Sequence, residues 1–270
     1  QGSNETKIVL LGKTAVGKSS LGNTILGDSL FKEKLSPTSV TNMFNAESKD
    51  INGERVTVID TPGIFDNTLK EEDLKAEMIK CIEHCSPEIH AFLIVLKVDR
   101  YTDQEKEIIK MIKEYFSEEI LKHAVVVFTH GDQLEEGQTI QEFVEMSADL
   151  KKLVGMCGGK CHVVDNKYWK YQQDGYRSNR FQVKQLLKTI ENMKQNKGVY
   201  TDDLLELAGK NKSVWKILKI SAKITVGASL GMLAGASVVV PGLGLGTAAS
   251  IGALAGGALG GGGWGLWGGE

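Results

Sequence analysis

Eight residues near the start of the chain, Gly12-Lys13-Thr14-Ala15-Val16-Gly17-Lys18-Ser19, satisfy every constrained position of the pattern G-x-x-x-x-G-K-[ST]. Such an octapeptide works only between a strand and a helix. Its glycines turn the backbone so tightly that successive N–H groups converge on an anion, which the following helix also attracts with its positive end. Both flanks agree: Lys7-Ile8-Val9-Leu10-Leu11 reads as a buried strand, and residues 19–26 read as a helix start. The loop, with Ser20 behind it, is therefore expected to cradle a nucleoside triphosphate. Lys18 is placed to reach the β- and γ-phosphates, and Ser19 to ligate Mg²⁺.

The rest of the chain alternates in the way this start demands. A polar stretch with Pro37 precedes a strand pair over residues 43–60 that turns on Asn52-Gly53, a strong hairpin signal. Helices are expected over 71–83, 103–115, 140–153 and 179–194, and strands over 91–96, 124–128 and 161–164. The fold class is α/β: a P-loop, Ras-like, mostly parallel six-stranded sheet with helices on both faces. A length of 270 residues suits one such domain and an appendage. The net charge of −2 gives no electrostatic footprint for nucleic acid, so the expected ligand is a small nucleotide. The cysteines fall as Cys81/Cys85 and Cys157/Cys161, spacing that suits one helix face and matches no zinc pattern; they read as reduced structural thiols.

The base and metal are read further along. Asp60-Thr61-Pro62-Gly63 follows the strand Val56-Thr57-Val58-Ile59, which brings Asp60 to the metal site, in the second shell of Mg²⁺, and the Gly63 N–H to the γ-phosphate. Thr129-His130-Gly131-Asp132 directly follows Val125-Val126-Val127-Phe128. The two oxygens of Asp132 suit guanine, which offers N1–H and N2–H₂ together where adenine offers no such pair. His130 stands where a lysine is usual and has a ring to lay against the base. Asn166 is the choice for backing the base from the loop after the last core strand, with Trp169 as a stacking partner; a solvated turn with an unrelated core tryptophan is the alternative. In the segment 31–42, Thr41 and Thr38 both qualify to sense the γ-phosphate through Mg²⁺; Thr41 is preferred because it adjoins the next strand.

One position is conspicuous for mechanism. The residue after Gly63, where Ras-like enzymes carry a water-orienting glutamine, is Ile64. Unaided hydrolysis is expected to be slow. Arg100, in Asp99-Arg100-Tyr101-Thr102-Asp103 after the strand 92–96, is the candidate to supply the missing charge, in cis or across a two-fold interface; a local surface pair is the alternative.

These residues, together with Ser39-Val40-Thr41, the run from Asp60 to Asp66 and the stretch from His90 to Lys110, resemble the AIG1 family, the GTPases of immunity-associated proteins. The resemblance covers roughly residues 6–193. It implies a guanine-nucleotide switch or scaffold that binds GTP and GDP with Mg²⁺, pairs or oligomerises across its nucleotide face, alone or with relatives, and uses a conserved-box arginine across the pair. It also implies a cytosolic scaffold at intracellular membranes. A scaffold that binds GTP without hydrolysing it, and an ATP-using P-loop enzyme, stand as alternatives.

Four segments follow. Residues 1–5 are a lead whose Gln1-Gly2-Ser3 reads as a cloning scar, 6–198 the nucleotide domain, 199–223 a helical extension with a lysine cluster, and 224–270 a tail holding 16 of the 31 glycines. Beyond Lys223 no charge occurs until Glu270, and Gly227, Gly231 and Gly235 form a small-x-x-x-small ladder broken by Pro241-Gly242. In water each glycine costs a helix roughly 0.8–1 kcal/mol relative to alanine, so a membrane hairpin is the preferred reading. Packing on a protein surface, or a disordered end, are the others. Localisation is expected to be cytoplasmic, with the tail anchored to an intracellular membrane.

Overall fold

The computed structural model describes residues 5–31, 45–61, 88–116 and 118–201, together with Cys81 and Cys85. The expected helix over 71–83, apart from helical Cys81, lies outside the described residues, as do Thr38, Thr41, Gly63, Ile64 and everything after residue 201.

The elements in chain order are β1 (Glu5–Leu11), α1 (Lys18–Leu26), β2 (Asn45–Ile51), β3 (Glu54–Asp60), β4 (Ala91–Lys97), α2 (Asp103–Phe116), β5 (Ala124–Thr129), α3 (Ile140–Glu145), α4 (Ala148–Met156), β6 (Cys161–Val163) and α5 (Asn179–Lys197). Short 3₁₀ turns cover Glu118–His123, Gly131–Gln133 and Trp169–Tyr171. The six strands form one sheet in the order β2-β3-β1-β4-β5-β6. Only β2 runs antiparallel, as the return strand of the Asn52-Gly53 hairpin; the expected sheet is therefore the observed one.

Period-two alternation sends successive residues to opposite faces. Val9, Leu11, Phe92, Ile94, Val126 and Phe128 join one core with Ile108 and Ile112 of α2 and Leu150 and Leu153 of α4. Their neighbours Ile8, Leu10, Leu93, Val95, Val125 and Val127 join another with Leu21 and Ile25 of α1 and Leu186 and Ile190 of α5. Because both faces are covered, β1, β4 and β5 are near-continuous apolar runs.

Two expectations need correction. The single helix over 140–153 is two, because Ser147 adopts extended backbone (φ −126, ψ 116) and its side chain accepts from the Leu150 N–H, starting α4 afresh. Serine competes well at an N-cap and poorly inside a helix. Cys157 and Cys161 do not share a helix face: Cys157 ends α4 and Cys161 opens β6. Cys81 and Cys85 do share one, with sulfurs 4.0 Å apart, and all four thiols are free and buried. No metal-holding group of histidines, cysteines or carboxylates occurs among the described residues.

The end of the sheet away from the phosphate loop is held by polar contacts. The Lys7 N–H donates to His90 Nδ1 at 3.0 Å, and the His90 N–H returns a bond to the Lys7 carbonyl. Lys194 of α5 donates to Thr6 Oγ1 at 2.7 Å and pairs with Glu54, so the last helix is bonded to both β1 and β3. After α5, Tyr200 forms an antiparallel bridge with Ile89, and its ring meets Phe92 edge-on at 5.0 Å.

His162 of β6 lies between the sheet and α5. Thr189 Oγ1 donates to the Gln185 carbonyl, so it accepts from His162 Nε2 at 2.9 Å. Burial pushes this imidazole down to about 4. The unfolded chain, with a histidine near the ordinary 6.5, takes up the proton first, so stability is full above that value and falls as pH drops toward 4. By pH 5 the loss is on the order of 1–2 kcal/mol. Unfolding by urea at pH 7 and pH 5 is expected to show a smaller difference in His162→Gln than in the parent chain.

Candidate functional site

The five parallel strands all end on one edge of the sheet, where loops meet outside the carboxyl ends of the strands. The loop after β1 is set by close packing. A Cβ on Gly12 would lie 2.6 Å from the Val95 carbonyl oxygen of β4, so no larger residue fits without moving the strand. Ala15 takes a left-handed φ of 62, and Gly17 is the N-cap of α1. Lys18 is only 5% exposed, and its Nζ donates to the carbonyls of Gly12 and Lys13 at 2.8 Å each. The ammonium is thus held inside the curve of the loop. Thr14, Ala15, Gly17, Lys18, Ser19 and Ser20 line a cavity of about 960 Å³. The Val16 side chain instead sits in the core between sheet and α1.

Thr129 closes β5 and is fully buried. Its hydroxyl donates to the Val16 carbonyl at 2.6 Å, joining the loop after β5 to the loop after β1. With that proton spent, His130 Nδ1 is left as donor to Thr129 Oγ1, at 2.9 Å. His130 has a left-handed φ of 59, and the chain then turns so tightly that a Cβ on Gly131 would come within 2.6 Å of the Trp169 ring. His130, Asp132 and Asn166 line the same cavity as the phosphate loop. Trp169 does not; it is buried beneath Gly131, supporting the loop from below instead of offering a stacking face. Asn166 Oδ1 accepts from Thr24 Oγ1 at 2.9 Å. The preceding Asp165 accepts from the Tyr168 and Trp169 N–H groups, and its own backbone is bonded twice to the Asn179 side chain of α5.

Asp60 ends β3 and is buried beside Ser19, whose Oγ donates to Oδ2 at 2.5 Å. Its other oxygen, Oδ1, is buried with no hydrogen-bond partner among the described residues. Burial raises this carboxyl above the usual range, against the opposing pull of Ser19 and Lys18. An orphaned carboxylate oxygen next to a serine hydroxyl is a donor set that fits a hard divalent cation.

Arg100 lies outside the cavity lining, on the exposed turn after β4, with its N–H bonded to Asp99 Oδ1 at 2.7 Å. Its side chain makes no ion pair among the described residues. Thr41 and Gly63 lie outside the described residues. The cavity also includes Gln133, Asp165, Lys167 and Lys170, which the sequence reading missed. Three of these stand beside chosen residues: Gln133 next to Asp132, and Asp165 and Lys167 on either side of Asn166. Glu105 was missed too: its carboxylate reaches Lys13 of the phosphate loop at 3.9 Å. The signal was Thr102-Asp103-Gln104-Glu105, the S/T-x-x-E pattern of a helix start.

Comparison with known proteins gives one family model, described as the AIG1 family, which matches residues 6–219. Human GTPase IMAP family member 8 is 33% identical over 195 residues, covering 72% of this chain and 28% of that protein. Immune-associated nucleotide-binding protein 8 of Arabidopsis thaliana is 35% identical over 207 residues, covering 74% of this chain and 57% of the relative. The chain thus spans less than two thirds of either relative. Among solved structures, Toc33 from Arabidopsis thaliana in complex with GDP and Mg²⁺ superposes with a TM-score of 0.56 at 20% identity, covering 74% of this chain and 88% of that one. The likeness to Toc33 is one of fold.

Proposed function

The chain belongs to the AIG1 family, and from that premise we propose that it is a guanine-nucleotide switch and scaffold. It binds GTP and GDP with Mg²⁺, associates through its nucleotide face in the GTP form, and hydrolyses GTP slowly alone and faster in the pair. The observation that carries this reading is the meeting of the phosphate loop with Thr129-His130-Gly131-Asp132 around one cavity, locked by the Thr129 to Val16 hydrogen bond.

In this reading each residue has a part. The 12–17 loop and the α1 N-terminus offer N–H groups and a positive end to the phosphates, and Lys18 adds its charge at their centre. Ser19 and Asp60 would hold Mg²⁺, with Thr41 as the third protein ligand. When bound, the cation offsets charge on the β- and γ-phosphates. Asp132 accepts from the guanine edge, while His130 and Asn166 flank it. In hydrolysis water adds to the γ-phosphorus and the bond to the β–γ bridging oxygen breaks, giving GDP and phosphate. Ile64 has no polar group with which to orient that water. Arg100, exposed on the same edge of the sheet, is the residue to which this reading gives the charge supplied to a second copy. For Toc33, dimerization is important for GTPase activity, and an arginine-to-alanine variant of it is dimerization deficient.

Localisation belongs to the proposal as well: cytoplasmic, with the uncharged glycine-rich tail associating with an intracellular membrane. No helix among the described residues is long and apolar enough to cross a membrane, and the tail lies outside them.

Three measurements test these parts separately. Asp132→Asn replaces one acceptor with a donor, so it is expected to weaken GTP binding by about a hundredfold and to favour xanthosine triphosphate, whose C2 carbonyl accepts. Unchanged base preference by calorimetry would sink the guanine assignment. Turnover per molecule is expected to climb with protein concentration, and to lose about 10³-fold of its concentration-dependent part in Arg100→Ala; flat, negligible turnover favours a non-hydrolysing scaffold. Finally, the full chain is expected to float with anionic liposomes and a chain ending at Lys212 to stay in the pellet.

A further inference from the structure

Glu105 is a carboxylate that a surface helix start does not need to bury, yet it is 7% exposed. Its two oxygens serve two different loops. Oε2 accepts from both the N–H (2.7 Å) and the hydroxyl (2.9 Å) of Thr102, fixing the turn that carries Arg100 to the first turn of α2. Oε1 faces Lys13 Nζ at 3.9 Å, inside the phosphate loop, and the Lys13 backbone carbonyl in turn accepts from Lys18. The turn is pinned elsewhere too. The Val98 N–H donates to the Thr129 carbonyl, Tyr101 packs against the core, and the Arg100 N–H is taken up by Asp99. Between these anchors Arg100 stands exposed, together with Asp99 and Thr102. A loop held this way presents its arginine from a fixed base, and that base is built in part from the phosphate loop itself.

We propose that Glu105 is a positioning residue for hydrolysis: by joining Lys13 to Thr102, it sets where Arg100 is offered to a second copy of the chain. This rests on the trans-acting role of Arg100 stated above. The carboxylate does not touch nucleotide; it acts through the arginine. Misplacement of a reacting group by about 1 Å is enough to cost a reaction up to about a hundredfold, so loosening this base is expected to be visible in turnover.

The test is a series of GTP turnover rates against protein concentration for the full chain, Glu105→Gln, Thr102→Val, Arg100→Ala and the double variant Arg100→Ala/Glu105→Gln. Glu105→Gln keeps the volume and an acceptor for Thr102 but removes the charge facing Lys13. It is expected to lower kcat at saturating protein about tenfold while KM for GTP changes by less than about threefold. Thr102→Val cuts the other half of the link and is expected to act in the same direction, about threefold, and it carries the test if Glu105→Gln does not fold. In the Arg100→Ala background, Glu105→Gln is expected to have no further effect, because the residue through which it acts is gone. Concentration-dependent turnover that survives both single variants, or a loss that adds in full to that of Arg100→Ala, overturns the role of Glu105 and leaves the arginine reading standing. Turnover of the parent chain that is flat with concentration overturns both.

Discussion

The hydroxyl of Thr129 holds together two loops that come from different strands and have different chemical tasks. It is fully buried at the end of β5 and bonded to the Val16 carbonyl. Parallel pairing of β1, β4 and β5 brings the strand ends level, but strand ladders stop where the loops begin. Beyond that point the distance between the phosphate-facing and base-facing walls is set by side-chain bonds. A chain lacking this hydroxyl would lose one buried hydrogen bond between the two loops, about 0.5–1.5 kcal/mol. The rest of the site is built outward from this contact: His130 beside it, Gly131 seated on Trp169, and Asp165 clamped by Asn179.

Much of this was legible in the sequence because it depends on neighbours in the chain. The octapeptide, the Asn52-Gly53 hairpin and the uninterrupted apolar runs of β4 and β5 are local signals, and each led to the element observed. The misreadings have a different physical origin. Residues 140–153 keep helical spacing of apolar positions across Ser147, so periodicity alone could not reveal that its side chain caps a new helix. Of the two readings of Trp169, a stacking face or a core side chain, the second holds, because a ring's partner is decided by what lies under it. Here that is a glycine nearly 40 positions earlier in the chain.

Charge follows the same division. The contacts at the far end of the sheet, Lys194 with Glu54 and Thr6, join residues more than a hundred positions apart. Nothing local in the sequence links Lys194 to Glu54. Together they fasten α5 to the hairpin that leads into Asp60. Glu105 behaves similarly near the mouth. Its capping role could be read from four consecutive residues, whereas its second partner, Lys13, is a matter of folding alone.

The bridge between Ile89 and Tyr200 has a geometric consequence for the whole molecule. It is made at the entry to β4, whereas the cavity lies at the exit, so the chain departs from the pole opposite its nucleotide mouth. The 19 residues of α5 run most of that distance, roughly 28 Å at 1.5 Å per residue. A body arranged in this way has a front and a back. The cavity and the Ile89–Tyr200 bridge lie at opposite ends of the strands, so a contact made at one leaves the other uncovered.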